Sequence, residues 1–244
     1  MRWNPKLIIS LNFISFALIF SWLYPSTHGV WDAIDLSIFK FLNSWIATSP
    51  LFQKFWAYSN ANFMDWIHDF AMVSFFIIAF LTAKTKIMRQ RRIAQFVICG
   101  LVIGATILTF NRGIFKDLVH INRQSPTLVV ENSIRLSEHV KTVKIKDKSD
   151  QCFPADHATT ATLFTAIVFL TLGPTYGFFA LFYAVYFCLP RLILGAHWMT
   201  DIVMGSVPIT LFVTSWVFGS PLAGWVTHKL GGGDEPKREI PETV

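Results

Sequence analysis

Three short stretches of this chain carry ionisable residues at spacings suited to handling a phosphate. The first holds Lys116 and Arg123, with six residues between them. The second is Phe153-Pro154-Ala155-Asp156-His157, and the third runs from Arg191 through His197 to Asp201. His197 and Asp201 are four residues apart, so on a helix they share a face, about 6 Å apart along the axis. A carboxylate placed there holds one ring nitrogen as N–H and leaves the other with a free lone pair, an imidazole set up as base or nucleophile. His157 stands at the start of an apolar run, with Asp156 and Thr159 placed to cap it, and a helix N-terminus favours an anion. Lys116, Arg123 and Arg191 add three cations, and the arginine fork matches phosphate oxygens. One oriented imidazole, a second imidazole, three cations and a helix N-terminus make an inventory for phosphoryl transfer through a phospho-histidine. Electrostatic clamping of the equatorial oxygens would be its largest contribution.

The elements that must position these groups are apolar. The 244 residues are 53% hydrophobic and only 15% charged, against about one quarter charged in an average soluble domain, and mean hydropathy is +0.47. This is the composition of an all-α integral membrane protein. Six membrane helices are expected, at about 7–24, 63–83, 93–110, 158–172, 176–189 and 199–218. The first is read as a retained span and not a cleaved leader, because it ends in Trp22-Leu-Tyr-Pro25 with no small-x-small site. Between the first two spans, residues 31–62 repeat apolar residues at helical spacing and break at Ser49-Pro50, which predicts one or two amphipathic helices on the membrane surface. Residues 1–219 thus form a single membrane domain, with an active-site loop at about 111–157. Residues 220–244, Gly-rich and then charged, read as a disordered cytoplasmic tail.

Sidedness follows from parity and charge. The stretch at 84–92, KTKIMRQRR, has five basic residues in nine and reads as a cytoplasmic loop. Six spans then place 111–157 and 190–198 together on the opposite face. The net charge of +6 is not interleaved with aromatics on a soluble surface, so anionic lipid fits better than nucleic acid as a partner. Three cysteines without a C-x-x-C spacing argue against a disulfide framework or a zinc site.

The three clusters resemble the type 2 phosphatidic acid phosphatase superfamily, whose pattern is K-x6-R-P, then P-S-G-H, then S-R-x5-H-x3-D. Lys116 and Arg123 fit the first motif, Pro154 and His157 the second, and Arg191, His197 and Asp201 the third. The departures are that Pro126 stands three residues after Arg123, Pro190 replaces the serine before Arg191, and P-S-G-H has become P-A-D-H. The F-P-x-D-H form looks like the branch acting on undecaprenyl diphosphate. Residues 21–43, 122–130, 134–138 and 195–202 extend the resemblance to phosphotransferases that move phosphate from that donor to the 1-phosphate of lipid A.

The resemblance implies His197 as the nucleophile, Asp201 as its orienting partner and His157 as general acid. It implies Lys116, Arg123 and Arg191 as holders of the phosphate oxygens, and no metal or other cofactor. It also implies lipid substrates, a bacterial inner membrane and a site facing the periplasm. Hydrolysis of undecaprenyl diphosphate or another lipid phosphate is the alternative within the superfamily, and a transporter or scaffold is the alternative outside it. Asp65 and Asp156 are accessory candidates, Asp65 for the acceptor headgroup. His68 and Asp69 read as a polar helix start, Lys141, Lys144, Lys146 and Lys148 as a solvated basic face, and His28 and Asp35 have no assigned role.

Overall fold

The structure is a computed structural model in which residues 3–231 are described. The chain opens with α1 (Pro5–Leu23), whose first turn is capped by the Asn4 side chain accepting from Leu7 N–H. After it come α2 (Pro25–Ser44), a 3₁₀ turn (Trp45–Ala47) and α3 (Pro50–Ser59). The break falls at Ser49-Pro50 as expected. Ser49 accepts from Phe52 N–H and Pro50 occupies the first helical position, where its missing N–H costs nothing. The interfacial segment does more than lie on a surface. One face of α2 is buried through Asp35, Phe39, Leu42 and Asn43, and the Asn43 amide donates to the carbonyls of Ile134 and Ile193, both at 3.1 Å.

The spans that follow are α4 (Asn62–Leu81), α5 (Lys86–Thr106, continued as a π-helix over Ile107–Leu118), α8 (Asp156–Leu172), α9 (Pro174–Ile193) and α10 (a π-turn, Asp201–Ser206, then Val207–Gly219). Among the described residues, five helices are long and apolar enough to cross a bilayer. The sixth expected span, α8, is apolar but only 17 residues long. Large apolar side chains stay exposed on these helices, such as Phe13, Trp66, Phe70, Leu101 and Phe182. That is the surface hydrocarbon requires and water penalises. The protein is a multi-pass membrane protein. Its core lies where α4, α5, α8 and α9 meet, around Met72, Phe76, Phe164, Ile167 and Ala180.

Three expectations are corrected. Residues 86–92 are not a loop but the first turns of α5, capped by Thr85; Lys, Met, Arg and Gln are good helix formers. Arg92 instead reaches the Thr171 carbonyl at 2.9 Å, which keeps this end beside the α8–α9 turn. The active-site loop begins after Leu118 and not at 111, because α5 runs on with a polar face that finds buried partners. The tail expected to be disordered from 220 is helical at α11 (Leu222–Gly231), which packs along α5. Its remainder, 232–244, lies outside the described residues.

The loop 119–155 carries two single-turn helices, α6 (Pro126–Val129) and α7 (Leu136–His139). It folds over a second apolar cluster that includes Leu42, Ile46, Trp56, Leu136, Ile193 and Leu194. The Thr127 hydroxyl ties the loop to the Gly195 carbonyl at 3.2 Å and to the Asp147 carbonyl. The stretches 111–157 and 190–198 are therefore gathered at one end of the bundle, opposite the Gly173–Pro174 turn.

Candidate active site

The third motif does not sit on one helical face. Residues 194–198 form a turn, and the helix that becomes α10 starts at residue 199. Asp201 lies in its first turn and reaches back, Oδ2 accepting from Trp198 N–H at 2.8 Å, the half of a capping box in which an acid satisfies the N-cap donor. The same oxygen lies 3.3 Å from His197 Nδ1, and the Cys152 carbonyl lies 2.9 Å from that nitrogen. With two acceptors around it, Nδ1 carries the hydrogen, and Nε2 keeps its lone pair. The orientation expected of His197 is thus reached across a helix N-terminus and not along a helical face. Gly195, at φ +68, turns the chain into this position.

His197 and His157 line one cavity of about 490 Å³. His157 comes from the first turn of α8. Neither Asp156 nor Thr159 caps that helix as expected, because the N-cap position is Ala155, which has no side-chain hydrogen bond. Thr159 instead enters a buried polar ladder. The Asn111 amide donates to Thr159 Oγ1 and to Asp156 Oδ1, both at 3.0 Å, and Thr159 Oγ1 donates to Ser206 Oγ at 3.0 Å. The π-segments of α5 and α10 flank α8 at this point, and wide helical turns are frequent where a helix must present side chains to a site.

The cations divide into four groups. Arg191, on α9, donates from Nη2 to Asp65 Oδ1 at 2.8 Å and to His157 Nε2 at 3.3 Å. A guanidinium has only donors, so His157 Nε2 accepts in this arrangement. Arg191 Nη1 is buried without a partner among the described residues, and the guanidinium covers Phe187, 5.0 Å from the ring centre. Lys116 lies in the last turn of the π-segment and holds both Asp156 oxygens at 3.2 Å. Arg112 and Lys146 line the same cavity and have no ion-pair partner among the described residues. The sequence reads Lys146 as solvated basic surface and does not distinguish Arg112 from its basic neighbours. The only signal for them in the sequence was the excess of positive charge in this region.

Arg123 is placed differently. It does not line the His157–His197 cavity but an adjoining one of about 1040 Å³, beside Asp32, Asp35 and Trp198. Its Nη1 donates to Asp201 Oδ1 at 2.6 Å and Thr200 Oγ1 at 2.7 Å, and its Nη2 donates to Asp35 Oδ2 at 2.7 Å. Burial disfavours the guanidinium charge, but Asp201 and Asp35 outweigh it and push the pKa up. Asp35 is only 1% exposed. Burial pushes its carboxyl above the ordinary range, opposed by hydrogen bonds from Thr200 and Arg123.

The remaining candidates pair with neighbouring groups. His68 is buried nearly two turns into α4, with Nδ1 2.6 Å from Tyr183 Oη and its ring 4.2 Å from that of Phe187, and not at a polar helix start as expected. Asp65 meets Arg191, so in this arrangement it serves that cation. His28 contacts the Trp22 carbonyl through Nδ1 at 2.6 Å, and Trp22 stacks on Phe153 at 4.5 Å. Cys152, His197 and Asp201 place ligand-type atoms within 4.8 Å of one another. The Cys152 thiol is pushed well up by burial and then by Asp201. A protonated thiol is a poor metal ligand, and the donors of the other two are already engaged with each other.

The family model of the PAP2 superfamily matches residues 98–222, a span holding all three motifs. The chain is 36% identical over 220 residues to the lipid A 1-diphosphate synthase of Escherichia coli (strain K12), covering 90% of each chain. No solved structure gives a significant match.

Proposed function

The chain belongs to the PAP2 superfamily and is an enzyme of its lipid phosphatase/phosphotransferase kind; from this premise we propose that it moves the terminal phosphate of a polyprenyl diphosphate to the 1-phosphate of lipid A through a phospho-histidine. The observation that carries the reading is the His197 ring, held through Nδ1 by Cys152 and Asp201 while it lines a cavity shared with His157 and with Lys116, Arg112 and Lys146.

In the first step His197 Nε2 attacks the terminal phosphorus, and the bond to the bridging oxygen breaks. The polyprenyl monophosphate departs with that electron pair, and His157 supplies a proton to it. That role needs His157 protonated, so substrate phosphate must take over the Arg191 N–H now aimed at His157 Nε2. Lys116 and Arg191 hold the equatorial oxygens, where fixed charge acts most strongly in a site of low dielectric. Asp156 and Asp65 neutralise these cations until phosphate competes for them. Arg112 and Lys146 suit the second phosphate of a diphosphate. In the second step an oxygen of the acceptor phosphate attacks the phosphorus, the N–P bond breaks and His197 is restored.

The relative's printed name supports lipid A as acceptor. A polyprenyl diphosphate carrying labelled terminal phosphate, given to the purified protein with and without lipid A, tests the reading. Label on lipid A that disappears in His197→Gln is the expected result. Label released only as free phosphate makes the protein a hydrolase, and turnover that survives His197→Gln rejects the phospho-histidine. A bacterial inner membrane with the site at its periplasmic face belongs to the same proposal, supported by the gathering of motif-bearing stretches at the end opposite the basic start of α5.

A further inference from the structure

We infer that the adjoining cavity of about 1040 Å³ is the acceptor subsite, and that it takes the phosphorylated amino-sugar headgroup of the acceptor lipid. The inference rests on the reading of the protein as a phosphotransferase to lipid A, and it adds where that acceptor lies. The floor of the cavity is formed by buried Asp35 and Trp198 and half-buried Arg123, and its rim by exposed Asp32, Leu36 and Val129. The polar groups around it are suited to hydroxyls. Asp32 and Asp150 offer acceptors, while the carboxamides of Asn122, Gln124 and Gln151 each offer donors and an acceptor. Sugar hydroxyls both donate and accept, and the C–H face of a sugar ring can rest on Leu36 and Val129. A concave site with a few directed polar groups beside apolar surface is the general form of a small-ligand pocket.

Charge sorts the two ligands between the two cavities. In the larger one Asp32, Asp35 and Asp150 set three carboxylates against the Arg123 guanidinium. In the His157–His197 cavity Arg112, Lys116 and Lys146 set three cations against Asp156. A diphosphate is drawn to the second and repelled by the first. A hydroxyl-rich headgroup that carries its phosphate at one end fits the first, with that phosphate directed to Arg123, the phosphate-holding residue of the first motif. Asp35 and Asp201 neutralise Arg123 until phosphate competes for it, as Asp156 and Asp65 do for Lys116 and Arg191. The two cavities also share a wall, because Ser149 and Gln151 line both. Ser125 N–H donates to the Ser149 carbonyl and Cys152 N–H to the Arg123 carbonyl, both at 2.9 Å, and Gln151 Nε2 donates to Asn122 Oδ1 at 3.1 Å. The Cys152 carbonyl at the end of this wall lies 2.9 Å from His197 Nδ1. A phosphate brought to Arg123 by a sugar in the larger cavity therefore arrives beside the residues that hold the nucleophile.

The test measures transfer of label from a polyprenyl diphosphate to lipid A by the full-length protein in detergent, with KM determined separately for donor and acceptor. Two variants approach the cavity from different elements: Asp150→Ala combined with Gln124→Ala, in the loop, and Leu36→Trp, which fills the rim from α2. All three positions are exposed, and thermal unfolding reports whether each variant folds, so a failure in one leaves the other. Either variant is expected to raise the KM for lipid A about tenfold or more, the scale of one or two lost hydrogen bonds, with donor KM unaltered. A deacylated glucosamine disaccharide 1-phosphate should compete with lipid A in the wild type, and less well in the variants. An unaltered acceptor KM in a folded variant, beside wild-type transfer to lipid A, would overturn the subsite alone. A raised donor KM with acceptor KM unchanged would assign the cavity to the donor and overturn it as well. A wild-type protein that releases label only as free phosphate would instead reject the phosphotransferase reading, and the acceptor subsite with it.

Discussion

Gly195→Ala should disable this protein from two residues away from the nucleophile. Gly195 has φ +68, and a Cβ there would fall 2.6 Å from Phe39 Cε2 and 2.7 Å from Thr127 Cγ2. The left-handed backbone costs an alanine roughly 1–2 kcal/mol, and forcing Phe39 and Thr127 apart adds about 1–3 kcal/mol, so the expected loss is on the order of 2–5 kcal/mol. The strain will not stay local. Thr127 donates to the Gly195 carbonyl, and Phe39 packs edge-on against Trp198 with ring centres 6.0 Å apart. Relief by backbone movement therefore carries His197 with it, and a misplacement of about 1 Å can cost roughly a hundredfold in rate. Thermal unfolding in detergent should move down by several degrees, and turnover should fall by at least tenfold. Gly29→Ala is the control. A Cβ there meets nothing within 4 Å, and the position lies inside α2, where alanine is the better helix former by about 1 kcal/mol. Gly195→Ala with unaltered melting and turnover would refute the packing argument.

Asp201→Asn should lower kcat by roughly 10²- to 10⁴-fold, because an amide no longer fixes the imidazole as Nδ1–H; single-turnover labelling measures it, and a wild-type rate would reject Asp201 as the orienting group. Neutralising Arg112 and Lys146 together should raise KM for a diphosphate donor by about ten- to a hundredfold, the scale of one charged hydrogen bond, with little effect on a lipid monophosphate. Equal effects on both substrates would show that they attract anions without recognising the second phosphate. Cys152, buried and with its thiol pushed up in pKa, should resist iodoacetamide at about pH 8, where an ordinary thiol reacts. Rapid alkylation of the folded protein, followed by mass spectrometry, would contradict that environment.

Features that depend on near neighbours are legible in the amino-acid order alone. Helical spans follow from continuous apolar stretches, and the break between α2 and α3 follows from Ser49-Pro50, because both are set within a few residues. The motif residues were legible for the same reason. Arg191, His197 and Asp201 stand within eleven positions, and His157 begins an apolar run. Span ends were less legible, because hydropathy falls at Phe110 while α5 continues to Leu118, its polar residues finding partners on α8 that are 40 or more positions away. Which charge meets which depends on how the helices pack. Asp65 reaches Arg191 across 126 positions and Asp35 reaches Arg123 across 88. Spacing marked Lys116 and Arg123 as one motif, yet packing sends them to different cavities, one to Asp156 and the other to Asp35 and Asp201. Local pattern records the side chains a helix carries. Ion pairing in a protein interior depends on the burial and geometry that the assembled bundle creates, and those arise only when distant segments pack together.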